Sequence, residues 1–99
     1  MAEVRRERIA EYRALHEAIW PDYAALVRAA GLGDFTIHLD EARALLFMRF
    51  TYTGDDLDGD LARLDAHPRA QAWAAAVAPC FEAPPGADPW TPLTPVFEL

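Results

Sequence analysis

The sequence predicts a small α+β fold on three observations. Helical periodicity runs through the first third, two β-rich stretches joined by a polar turn occupy the middle, and two further helical patterns precede a proline-rich end. With 99 residues the chain is long enough for one core, and residues 1–99 read as a single domain. An apolar share of 53% with 11% aromatic residues excludes a disordered chain.

From about Arg6 to Ala30, the residues Ile9, Tyr12, His16, Ile19, Tyr23, Leu26 and Ala30 recur at steps of three and four, which draws one helical face. Pro21 has no N–H to offer the Glu17 carbonyl, so a kink or two helices meeting at Trp20-Pro21 is expected. Gly31 and Gly33 end the segment. Asp34–Leu39 and Ala44–Tyr52 then read as antiparallel strands joined by the turn Asp40-Glu41-Ala42-Arg43. Phe35, Ile37 and Leu39 share one face of the first strand, and Thr36 and His38 the other. Both faces of the hairpin are largely apolar, so cover is expected on both sides, from helices and from another subunit.

The acidic run after Gly54 opens a short helix with Leu57, Leu61 and Leu64 on one side, ending near His67-Pro68. A second helix, from about Pro68 to Ala78, carries Ala70, Trp73 and Val77 at helical spacing, and Pro79 ends it. Ala83–Pro95 holds most of the prolines and reads as an ordered arm, with Val96-Phe97-Glu98-Leu99 as a last short strand. The order helix, strand, strand, helix pair, strand is the ferredoxin-like plan with an antiparallel sheet and its first strand short or missing. Met1–Val4 supplies at most a stub of that strand.

A formal charge of −7, with every basic residue an Arg, leaves no basic face for nucleic acid or for an anionic membrane surface. Cys80 is the only cysteine, so no disulfide forms within the chain, and neither a transmembrane run nor a signal peptide is visible. A cytoplasmic protein is the expectation. Asp55, Asp56, Asp58 and Asp60 do not make a calcium loop, because Gly59 falls inside the would-be ligand series and His67 stands where the closing Glu belongs. No metal and no cofactor are expected.

Tyr12 and His16 lie four apart on the inward stripe of the first helix, so an imidazole and a phenol face the same space. On spacing alone such a pair is more often core than catalytic. What lifts it above that is the string Glu-Tyr-Arg-Ala-Leu-His-Glu-Ala-Ile-Trp-Pro at residues 11–21. It resembles the E-Y-x-x-x-H-x-x-[IV]-W-P signature of the L-rhamnose mutarotase family. Ile37-His38-Leu39-Asp40 with Leu45-Leu46-Phe47 resembles that family's hairpin, Gln71-Ala72-Trp73 its late helix, and Leu93–Leu99 its closing strand.

The resemblance implies a homodimeric α+β barrel of ferredoxin-like subunits, free of metal and cofactor, each holding one monosaccharide between helix and sheet. By matched position His16 is the proton donor, and Tyr12 and Trp73 bind the sugar. Phe35 occupies the place of a sugar-contacting Tyr, and Ala74 the place of a second tryptophan, which bears on the choice of deoxysugar more than on the type of reaction. The chemistry implied is interconversion of α and β anomers of L-rhamnose or a related deoxyhexose, an isomerase reaction. Ring opening of a hemiacetal needs one proton delivered to the ring oxygen and another removed from the anomeric hydroxyl, and one imidazole with a hydroxyl or water partner supplies that. The competing reading is a non-catalytic dimeric sugar-binding or interaction module, which the departures at Phe35 and Ala74 and the clipped first strand would suit.

Overall fold

The computed structural model describes residues 1–84 and 86–99. Its antiparallel sheet has the order β1-β3-β2, with β1 at Ala2–Glu3, β2 at Leu32–Asp40 and β3 at Leu45–Tyr52. The stub β1 pairs Ala2 with Leu46 and Glu3 with Leu45. On its other side Val4 bridges Phe81, and the Arg5 and Glu82 amides donate to the Cys80 and Glu3 carbonyls at 2.7 and 2.9 Å. Residues 80–82 thus sit where the fourth strand of a ferredoxin-like sheet belongs. The backbone groups exposed by a two-residue first strand find partners on both sides.

The first helical stretch is two helices, α1 at Ile9–Glu17 after a 3-10 turn at Arg6–Arg8, and α2 at Pro21–Ala29. The break falls at Ala18–Trp20 and Pro21 takes the first position of α2, as its missing N–H dictates. After the hairpin come α3, Leu57–Ala66, and α4, Pro68–Val77. The Asp56 carboxylate caps α3 by accepting from the Gly59 amide at 3.1 Å. His67, extended because a proline follows it, ends α3 and caps α4 with its Nδ1, which accepts from the Arg69 amide at 3.0 Å. Asp60 accepts from the Tyr52 hydroxyl and pairs with Arg63, so these two carboxylates of the acidic run serve the fold.

Helices cover one face of the sheet. Ala2, Val4, Tyr12, Leu46, Trp73, Val77, Cys80 and Phe81 form the main buried cluster, and Leu32, Leu64 and Ala70 a second one. Along β3 burial alternates, with Leu46 inside and Phe47, Arg49 and Thr51 exposed on the outer face. Within one chain, therefore, the expected cover on both faces is present on one only.

Two further expectations are corrected. Val96–Leu99 forms no strand: Val96 is 98% and Phe97 77% exposed. The position such a strand would fill beside β1 is taken by residues 80–82, and Pro92 and Pro95 have no amides to donate. The arm does turn back on the N-terminus, where Met1 and Thr91 exchange backbone bonds of 2.7 and 2.8 Å. Its Pro85 lies outside the described residues. Second, β2 is not a regular strand from Asp34. The pairings Gly33 with Thr51 and Thr36 with Arg49 leave one extra residue between them, a bulge at Asp34–Phe35, and Asp34 adopts a left-handed backbone with φ +47°.

Leu46 is 2% exposed at the junction of β1, β3 and the main cluster. Leu46→Ala is expected to cost about 2–5 kcal/mol, read as a lower urea midpoint with an unchanged slope.

Candidate functional site

A cavity of about 830 Å³ lies between α1 and the inner face of the hairpin. That size is within the roughly 300–1,000 Å³ usual for small-molecule sites. Its sheet wall is apolar, from Phe35, Ile37, Leu39 and Leu46, while α1 contributes Tyr12, Arg13, His16 and Glu17. Each wall follows from local structure. The helical stripe turns Tyr12 and His16 to one side, one turn apart. Alternation with Ile37 and Leu39 sets Phe35 on the inner face, stacked on Phe50 at 5.8 Å and 39% exposed. At the bulge before Phe35, the carboxylate of the left-handed Asp34 accepts from the Thr51 hydroxyl at 3.3 Å and braces that residue.

His16 is half-buried, with Nδ1 2.9 Å from the Tyr12 backbone carbonyl. A carbonyl can only accept, so Nδ1 carries the hydrogen, and in the neutral ring Nε2 keeps a free lone pair. The imidazole is flanked by the Tyr12 ring at 4.3 Å and by Trp73, edge-on, at 5.2 Å. It is a ring with one nitrogen committed to its own helix and the other available to the cavity that it lines.

Tyr12 lines the cavity but is only 5% exposed. Burial pushes its phenol well above the ordinary value of 10.0, with charge at Cys80 a lesser cause, so folding favours the neutral ring. Trp73 is 6% exposed and is not a lining residue; it reaches the site from behind His16, stacked on Tyr23 at 5.3 Å. On the sheet side the aromatic wall of the cavity is Phe35. His38 borders the cavity from a β2 position, opposite Phe47, that alternates to the outer face of the sheet.

Three charged residues that the sequence did not single out, Arg13, Glu17 and Glu41, also line the cavity. Arg13 of α1 and Glu41 of the hairpin turn approach to 3.7 Å and join the two walls. Arg6 secures the same turn through the Glu41 and Ala42 carbonyls, at 3.2 and 2.6 Å. Both members of the Arg13–Glu41 pair are largely exposed, and such a pair adds little to stability. It places one donor group and one acceptor group at the rim of the cavity.

An open antiparallel sheet under helices, with an imidazole set between an apolar floor and a charged rim, defines a small α+β protein with a cavity of small-molecule size. The family model described as L-rhamnose mutarotase matches residues 1–99, and the chain belongs to the L-rhamnose mutarotase family. It is 40% identical over 92 residues to an L-rhamnose mutarotase of Jannaschia sp., covering 92% of this chain and 86% of that one. It is 41% identical over 91 residues to one of Rhizobium meliloti, with 91% and 85% covered. A crystal structure of an L-rhamnose mutarotase from Formosa agariphila shares the fold, with a TM-score of 0.81 at 23% identity over 99% of this chain and 92% of that one.

The buried phenols have a consequence for pH. Burial raises Tyr12 and Tyr23 in the folded state, so their contribution to stability is complete below the unfolded value of 10.0 and is lost as pH climbs toward the folded values. Absorbance at 295 nm should therefore show these two phenolates only as the native fold is lost, with the denaturant midpoint falling above pH 10.0.

Proposed function

We propose that this chain interconverts the α and β anomers of L-rhamnose by acid–base opening of the pyranose ring, with His16 as the proton donor and acceptor. The observation that carries the reading is the His16 imidazole, fixed through Nδ1 and lining a cavity of suitable size with Nε2 uncommitted. Protonated Nε2 delivers a proton to the ring oxygen as the bond from that oxygen to the anomeric carbon breaks. The anomeric hydroxyl gives up its proton and becomes the aldehyde oxygen. Glu17 and Glu41 are the carboxylates lining the cavity that could take that proton, directly or through water. Rotation about the adjacent carbon–carbon bond and reclosure, with the protons returned, give the other anomer. The reaction calls on no electron transfer and no covalent intermediate.

The apolar floor of Phe35 and Ile37 suits the methyl and C–H surface of a deoxyhexose, and Arg13 and Glu41 suit its hydroxyls. Tyr12 contributes its ring to the wall beside His16, and Trp73 serves the sugar from behind, by bracing the imidazole. Magnetisation exchange between the two anomeric proton signals of L-rhamnose measures the rate directly. The unsubstituted chain should accelerate exchange, and His16→Ala should remove about 10²–10⁴-fold of that acceleration. Equal rates for the two would end the proposal.

We further propose that the working unit is a homodimer in the cytoplasm. The outer sheet face leaves Phe47 uncovered, and the tail holds Val96, Phe97 and Leu99 in solvent, an apolar surface that a second copy would cover. Sedimentation equilibrium is expected to give twice the 11.0 kDa chain mass, and truncation before Val96 to weaken the association. A single buried cysteine suits a reducing compartment, and no helix among the described residues is long and apolar enough to cross a membrane.

A further inference from the structure

His16 stands in the last turn of a nine-residue helix, one residue before α1 ends. Helix ends fray, and a hydrogen bond through Nδ1 alone leaves a ring free to tilt about that bond. Lateral support comes from α4, where Trp73 meets the imidazole edge-on at 5.2 Å with an interplanar angle of 81°. Trp73 is itself met edge-on by Trp20, at 5.2 Å and 83°. Trp20 sits in the break between α1 and α2, only partly buried, so its far face needs cover of its own. Arg69 provides it, with its guanidinium carbon 3.7 Å from the centre of the Trp20 ring. Asp22, two residues past Trp20, fixes that guanidinium with Oδ2 2.8 Å from Nε.

The buried Nε has no well-aligned hydrogen-bond acceptor, which makes the Asp22 contact an ion pair by proximity. The guanidinium is therefore held by the aromatic face on one side and the carboxylate on the other. The result is one continuous line from surface to site, running Asp22, Arg69, Trp20, Trp73, His16. It crosses from α2 to α4 and back to the break that follows His16.

We infer that Arg69 is a positioning residue: clamped by Asp22, it caps Trp20 and, through Trp20 and Trp73, holds the His16 imidazole at its working angle. This rests on the reading of His16 as the acid–base group. A planar cation is required for the task, because a guanidinium lies flat on an indole and an ammonium does not. Proton transfer is sensitive to displacements well under 1 Å, so slackening the line slows the chemical step without weakening sugar binding.

The test compares Arg69→Met, Arg69→Lys and Asp22→Asn with the unsubstituted chain by anomer exchange and by NMR of the His16 ring protons. Those protons feel the ring currents of Tyr12 and Trp73 and so report the angle of the imidazole. Arg69→Met should lower kcat by roughly 5–30-fold with KM within twofold, and should shift the His16 ring signals. Arg69→Lys should restore part of both, and Asp22→Asn, which keeps the cation, should give a smaller change in the same direction. A purely structural role would lower the melting temperature while leaving kcat per folded site and the ring signals in place, and that result overturns the inference. Should Arg69→Met fail to fold, the same comparison is made on Asp22→Asn, where unchanged ring signals and kcat overturn it equally. If the unsubstituted chain does not accelerate exchange, the mutarotase reading falls, and the ring signals alone decide whether Arg69 orients the imidazole.

Discussion

Everything in this molecule is assembled around four residues at its N-terminus. Ala2 and Val4 are each 2% exposed, and the short run that holds them pairs with β3 on one side and with residues 80–82 on the other. It is the seam that joins the hairpin to the segment leaving α4. Because the chain runs from there into α1, the seam also sets where that helix lies above the hairpin, and so where the cavity opens. A first strand two residues long suffices since its neighbours supply the remaining backbone partners, Ala44 for the Val4 amide and Cys80 for that of Arg5.

Much of this was legible from residues alone, for identifiable reasons. Pro21 and Pro68 mark helix starts by chemistry that no tertiary contact alters, and both stand at the first position of a helix. The stripe through Tyr12 and His16 predicted a shared hollow, and the two rings do meet there at 4.3 Å. Ala70, Trp73 and Val77 are the buried positions of α4, as their spacing required.

What was not legible depended on pairings between distant parts of the chain. Cys80, Phe81 and Glu82 follow a proline and carry no strand signature; they act as one only because the N-terminal seam has an open side. The apolar Val96–Leu99 looks like a strand yet finds its place occupied. Arg13 and Glu41 lie on separate elements, and nothing in either local pattern announces their approach across the cavity. Trp73 illustrates a different limit: a tryptophan at helical spacing reads identically whether it faces a ligand or stands behind the residue that does. Here it packs edge-on against His16 outside the cavity lining, whereas Phe35 lies within that lining.

The irregularity at Asp34–Phe35 has a consequence for how such a site can change over time. With one residue more in β2 than in the facing stretch of β3, the parity of the strand switches within the bulge, so that Leu32 before it and Phe35, Ile37 and Leu39 after it all point inward. Exchanging that ring for another alters the floor's chemistry while leaving its shape. Deleting Asp34 would restore a regular ladder with Leu32 and Phe35 both still inward, whereas deleting a residue between Phe35 and Leu39 would turn Phe35 to the far side of the sheet. Length along this strand is thus free to change by one residue at the bulge and constrained beyond it, so related chains should carry a gap at Asp34 more readily than between Phe35 and Leu39.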